Sequence, residues 1–164
     1  MSRQGNSAPL PLGLLIAAAR RSIRQAASAR LRRHRLSSPQ FWLLVSLHEQ
    51  PGPSLRELAE RRLMDSPTAS RVVDKLVGRG FLRIGQDTRD RRRCKVQLTA
   101  RGAALTRELY PVARQIREAI HKGLTAAETE AMRGMLVRVV ANLEHFEPAD
   151  PAVAARRGRT RRIA

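Results

Sequence analysis

The densest chemistry in the chain lies in DTRDRRRCKVQLT, Asp87 to Thr99. Four arginines fall within the five positions Arg89 to Arg93, with Asp90 among them and Asp87 just before. This is binding chemistry. Each guanidinium offers N–H donors in a planar fork that fits phosphate or carboxylate oxygens. An exposed Asp–Arg pair is worth only about 0–1 kcal/mol, so Asp90 adds little net attraction. Orientation is the better use: Asp90 can hold Arg92 by bidentate bonds, and Asp87 can brace Arg89, so that each guanidinium meets its partner already extended. A solvated loop is the plain alternative for such a run. The residues that follow alternate, with Lys95 out, Val96 in, Gln97 out and Leu98 in, and predict a strand.

The elements ahead of this run must position it. Ser54-Leu55-Arg56-Glu57 has the S-x-x-E form of a capping box and opens a helix with Leu55, Leu58, Ala59 and Leu63 inside. DSPTAS then breaks and restarts the chain. Ser66 is expected to cap a second helix, with Pro67 in its first turn and Ala69, Val72, Val73, Leu76 and Val77 as its buried stripe. That stripe leaves Ser66, Thr68, Ser70, Arg71 and Lys75 facing out. Gly78 and Gly80 end the helix, Phe81 to Ile84 can form a strand, Gly85 to Arg93 a turn, and Cys94 to Leu98 a returning strand. Two short helices, a tight turn and a β-ribbon describe a winged helix-turn-helix. Its second helix would enter a DNA major groove, where arginine can read guanine bidentately. The N-terminal N–H groups of that helix suit a phosphate. The arginine-loaded turn would be the wing tip, meeting the negative minor groove.

Helices flank this lobe on both sides. Leu12, Leu15, Ile16, Ala19, Ile23, Ala26, Ala27 and Leu31 recur at three- and four-residue steps. Ser38-Pro39 reads as a cap with proline at the first helical position, ahead of Phe41, Trp42, Leu44, Val45 and Leu47. After Thr99 a long helix carries Leu105, Leu109, Val112, Ile116, Ala119, Ile120 and Leu124 like a coiled-coil seam, with Pro111 inside. Thr125 to Glu128 is another capping box, opening a last helix with Met132, Met135, Leu136, Val139, Val140, Leu143 and Phe146. Residues 1–9 and the Pro/Ala/Arg-rich 148–164 have little to bury and are expected to be disordered.

The chain has 164 residues, a length that suits one domain, with 42% hydrophobic and only 3% aromatic residues. Aliphatic side chains must fill its core, which favours helices. The net charge is +18, and its distribution is uneven. Residues 20–98 hold 19 Lys/Arg against 7 Asp/Glu, whereas 99–147 hold 7 against 6. One part of the chain is built for polyanions. Sequence-nonspecific coating of DNA is therefore the alternative that charge alone allows. The C-terminal arginines Arg156, Arg157, Arg159, Arg161 and Arg162 could follow phosphates or simply aid solubility. No run of eighteen apolar residues is present, so no membrane partner is expected. The single cysteine, Cys94, excludes an intramolecular disulfide and gives a cytoplasmic location as the default. His34, His48, His121 and His145 are scattered without ligand spacing. No Ser/His/Asp set, phosphate loop or carboxylate pair stands out, so neither an enzyme, a metal nor a cofactor is expected.

SPTASRVVDKLVGRGFLRI followed by DTRDRRRCKVQLTARG resembles the MarR family, the multiple-antibiotic-resistance-type regulators. The matching features are Asp87-x-Arg89-Asp90-x-Arg92 and Leu98-Thr99-x-x-Gly102. The similarity runs over about residues 10–147. It implies a mainly α fold with a small β-wing, a DNA-binding lobe at about 38–98, and dimerisation helices at about 10–36 and 99–147. It further implies a homodimer on a pseudo-palindromic double-stranded operator, acting as a repressor released by a small-molecule effector. On this basis Ser66, Thr68, Ser70, Arg71, Lys75, Arg89, Asp90, Arg91 and Arg92 are the expected DNA-binding residues. Leu12, Ile16, Leu109, Val112, Ile116, Val139 and Leu143 are expected at the dimer interface. The family often has a basic residue where this chain has Ile84. Its cysteine-based sensors carry their thiol near the first helix, where this chain has none, so Cys94 is read as incidental.

Overall fold

A computed structural model describes residues 9–86 and 94–146 of the chain. Helix α1 spans Leu12–Arg33, α2 Ser38–Glu49, α3 Leu55–Arg61 and α4 Ser66–Gly78; strands β1 Leu82–Gln86 and β2 Cys94–Leu98 follow, then α5 Ala100–His121 and α6 Ala126–Glu144. The chain divides into two compact units, one ending at Ile120 and one starting at His121.

The first unit is built around α2, whose Phe41, Leu43, Leu44, Val45 and Leu47 are all buried. Around it gather Ala27 and Leu31 of α1, Leu58 of α3, Val73 and Leu76 of α4, Phe81, Leu82 and Val96 of the ribbon, and Leu105 to Ile116 of α5. The strands pair antiparallel, with Leu82 opposite Leu98, Ile84 opposite Val96 and Gln86 opposite Cys94. The Val96 N–H also donates to the Pro53 carbonyl at 2.9 Å, tying the ribbon to the loop before α3.

Helix starts follow side-chain reach to the third amide. Ser37, rather than the expected Ser38, caps α2, because Gln40 lies three residues on and closes a capping box with it. Asp65, rather than Ser66, caps α4 through the Thr68 N–H. The capping boxes at Ser54 and Thr125 are both formed. Three helices end by the same left-handed turn. At the end of α4, Phe81 N–H bonds the Leu76 carbonyl and Gly80 N–H the Val77 carbonyl, with Gly80 at φ 70°. Arg35 at φ 51° makes this turn after α1, and Leu63 at φ 49° makes it after α3. A β-carbon there costs about 1 kcal/mol. The turn also explains why Leu63, expected inside, is 82% exposed: it is the reversal point itself.

Gly102 fixes the junction between ribbon and α5. Thr99 Oγ1 donates to the Gly80 carbonyl at 2.7 Å and accepts from the Gly102 N–H at 3.0 Å. The Thr99 N–H donates to the Phe81 carbonyl at 3.0 Å. The helix then runs through Pro111 without ending.

The seam expectation for α5 needs correction. Leu109, Val112 and Ile116 are 2–5% exposed and lie in the core of the single chain. They have almost no area left to give a second copy. Other apolar positions are open: Leu12, Leu14 and Leu15 near the start of α1 are exposed, and Ile16 is half-buried. In the second unit, α6 buries none of its residues; Val139 is half-buried and Leu143 exposed. Strand β1 begins at Leu82 rather than Phe81, because Phe81 belongs to the turn closing α4.

Candidate nucleic-acid interface

Helices α3 and α4, joined by the Arg62–Asp65 turn, present α4 as an amphipathic cylinder. Ala69, Val73 and Leu76 are buried, Val72 is half-buried, and Val77 falls at the rim. Ser66, Arg71 and Lys75 are exposed, as expected, while Thr68 and Ser70 are only half-exposed. Local bonds explain the difference. Thr68 donates its backbone N–H to Asp65 Oδ1 at 2.7 Å and its hydroxyl to Oδ2 at 3.0 Å. These two bonds hold the Asp65 carboxyl below its ordinary range, so it stays charged. Arg71 folds back along its own helix, with Nη2 donating to Thr68 Oγ1 and Nε to the Pro67 carbonyl, both at 3.3 Å. Ser70 donates to Asp74 at 3.3 Å. The expectation of a free phosphate seat at the α4 N-terminus is therefore revised: Asp65 occupies the third amide and brings negative charge with it. Among the outward residues of α4, the cations are Arg71 and Lys75.

Strand β1 packs against α4. Cys94 is exposed at the start of β2. Arg89, Asp90, Arg91 and Arg92 lie outside the described residues.

Two features escaped the sequence reading. A groove of about 620 Å³ runs between the α1–α2 corner and α4, and Arg32, Arg35, Gln40, Thr68, Arg71 and Lys75 are among its walls. Arg79, at the end of α4, donates Nη2 to the His34 carbonyl at 2.7 Å and Nη1 to the Arg35 carbonyl at 2.8 Å. Its guanidinium also sits 4.9 Å from the Phe81 ring centre. These bonds cross more than forty residues of sequence, so no local pattern announces them. The second feature joins α2 to α5. Glu49 accepts both Nη atoms of Arg117 and the Tyr110 hydroxyl. Arg117 holds the Glu49 carboxyl below its ordinary value, chiefly by that hydrogen bond. Arg62 lies over the Trp42 ring at 5.7 Å with Nε buried and unpartnered, and burial lowers its affinity for a proton.

A model of the MarR family matches residues 36–94. The HTH-type transcriptional regulator MhqR of Bacillus subtilis is 30% identical over 138 residues, which cover 84% of this chain and 94% of that protein. The chain belongs to the MarR family. Another relative, the HTH-type transcriptional repressor NicR of Pseudomonas putida, is 34% identical over 105 residues, covering 64% of this MarR-family chain and 66% of NicR, just under two thirds of its length. Among solved structures, Bordetella bronchiseptica BpsR, described for regulation of its DNA binding by 6-hydroxynicotinic acid, matches with a TM-score of 0.63 at 29% identity, covering 79% of this chain and 98% of that one. A mutant Escherichia coli MarR in complex with operator DNA matches with a TM-score of 0.64 at 25% identity, covering 79% and 94%. This MarR-family chain thus shares the winged-helix fold of solved MarR-family regulators, one of them bound to operator DNA.

Proposed function

We propose that this MarR-family protein is a homodimeric, sequence-specific repressor whose hold on a pseudo-palindromic double-stranded operator is relieved by a small-molecule effector. The observation that carries the reading is α4: one face locked in the core, the opposite face offering Arg71 and Lys75, with the ribbon strands that follow joined in sequence by the arginine-rich segment 87–93. Side chains of that kind on a major-groove helix supply base contacts and phosphate contacts together. In a two-fold pair, the two helices would meet half-sites about one helical turn apart.

Exposed Leu12, Leu14 and Leu15 of α1, with Leu136, Val137 and Leu143 of α6, support assembly. A lone copy would leave that apolar area in water. The effector part of the reading draws on BpsR, whose DNA binding is regulated by 6-hydroxynicotinic acid. An effector would act by changing the spacing of the two winged lobes. Contacts at both half-sites are then lost together, so a small strain has a large effect. Operator DNA would be met in the cytoplasm.

Selection of bound duplexes from a random pool, with the mass of the complex measured in parallel, tests this reading. The expected result is two related half-sites in inverted order and two chains per duplex. A monomer bound to unrelated sequences would refute it and leave nonspecific DNA coating in its place.

A further inference from the structure

The groove between the α1–α2 corner and α4 is walled by four cations, Arg32 and Arg35 from the corner side and Arg71 and Lys75 from α4, and Gln40 and Thr68 also line it. No carboxylate lines it. The nearest acids on and before α4 hydrogen-bond to neutral partners, Asp65 to Thr68 and Asp74 to Ser70, and Asp65 also offsets part of the Arg71 charge. Among the described residues, Arg32 donates to the neutral Ser28 hydroxyl at 3.4 Å. Among the described residues, Arg71 donates to the neutral Pro67 carbonyl and Thr68 hydroxyl. Like charges gathered in one concave wall that no carboxylate lines repel one another, and an anion joining them relieves that repulsion.

The corner is also held in place. Arg79 grips the carbonyls of His34 and Arg35, so the α1–α2 corner is fixed to the end of the same helix that carries Arg71 and Lys75. Both walls of the groove therefore keep a set distance. Arg35 sits at φ 51°, where glycine is the easier residue and where Gly80 does the equivalent job after α4. A backbone need alone would be met better by glycine, whereas the arginine adds a guanidinium at the groove wall.

We infer that this groove is a phosphate seat: Arg32 and Arg35, joined by Lys75, take oxygens of the duplex backbone while Arg71 faces the bases. The inference rests on the reading of α4 as the duplex-facing helix. It extends the DNA-binding surface to α1, outside the helix-turn-helix and the wing. The chemistry recognised is a phosphate oxygen pair, which a duplex backbone or a free phosphate could supply, and the duplex is the source assigned here. Because α1 also carries exposed Leu12, Leu14 and Leu15, one helix would connect the phosphate seat with an assembly surface.

The test uses the full chain and its selected duplex, with affinity followed between about 50 and 200 mM salt. In Arg32→Gln/Arg35→Gly the slope of log affinity against log salt should fall in magnitude by about 1–2, at roughly 0.9 per phosphate released. The ranking of duplexes with single base changes should stay as in the parent chain. Glycine suits the backbone at position 35, so the melting temperature should hold; Arg32→Gln alone, with a fall of about 0.9, serves if the double variant does not fold. An unchanged slope, or a changed base ranking, overturns the inference. So does an unchanged slope accompanied by inorganic phosphate stabilising the parent chain but not the variant, which would make the groove a free-anion site. If the parent chain itself prefers no duplex, the reading of α4 fails first, and this inference with it.

Discussion

Gly102→Ala should destabilise the protein by about 2–4 kcal/mol, opposite in sign to the usual effect of this change in a helix. Gly102 lies in the first turn of α5 and is buried. In a helix, alanine in place of glycine ordinarily gains about 0.4–1 kcal/mol. Here a β-carbon would stand 1.9 Å from the Phe81 carbonyl oxygen and 2.9 Å from its carbon. Real β-carbons essentially never come within 3.0 Å of another heavy atom, so Phe81 must retreat by more than 1 Å. That carbonyl accepts the Thr99 N–H at 3.0 Å and the Thr99 hydroxyl at 3.2 Å. Overpacking of this kind costs about 1–3 kcal/mol, and each bond lost adds about 1 kcal/mol. Urea unfolding at fixed protomer concentration measures the result, since assembly makes apparent stability concentration-dependent. Thr99→Val, which removes the hydroxyl's bonds to the Gly80 and Phe81 carbonyls and from the Gly102 N–H, should cost about 2–3 kcal/mol. The two changes together should cost less than their sum, because both act on the Phe81 carbonyl. A neutral or stabilising Gly102→Ala would refute the reasoning.

Further outcomes follow from the two sites. Arg71→Ala should cost about 1–3 kcal/mol on the preferred duplex and relax preference at one base pair, whereas Lys75→Ala should weaken all duplexes alike and lower the salt slope by about 0.9; titrations against a panel of single-base variants separate them. Neutralising Arg89 and Arg92 to glutamine should weaken duplex binding and flatten its salt dependence, as read by the same titrations. Glu49→Gln should cost about 1 kcal/mol at neutral pH, a modest figure because the pair is partly exposed. The Glu49 carboxyl titrates below its ordinary value of 4.5 in the folded chain, so its contribution is full above that value and lost as pH falls through the lower folded one. Urea midpoints for the parent and Glu49→Gln should therefore converge in acid. Asp65→Ala should fray the start of α4 and weaken duplex binding without changing the core, visible as faster amide exchange at Thr68.

The helix-turn-helix and the ribbon were legible because local signals were strong. Capping boxes marked Ser54 and Thr125, and strict alternation fixed β2 at Cys94 to Leu98. Where two cap-competent residues stand side by side, as in Ser37-Ser38 and Asp65-Ser66, the nearer proline misled. The third residue on decides, and Gln40 was the available clue. The α5 stripe shows a deeper limit. Periodicity says that a face is covered but not by which chain, and Leu109, Val112 and Ile116 turn out to be covered by their own. The outward placement of Arg71 and Lys75 was legible from the buried stripe opposite them. Arg32, Arg35 and Arg79 were not, because the groove and its brace join α1 to α4 through bonds spanning over forty positions.

The most direct test is competition between the selected duplex and random DNA for the purified chain at physiological salt. A regulator reading bases through α4 should prefer its site by roughly 10³–10⁷. Equal retention on both duplexes would contradict the account, leaving charge, rather than recognition, as the source of binding.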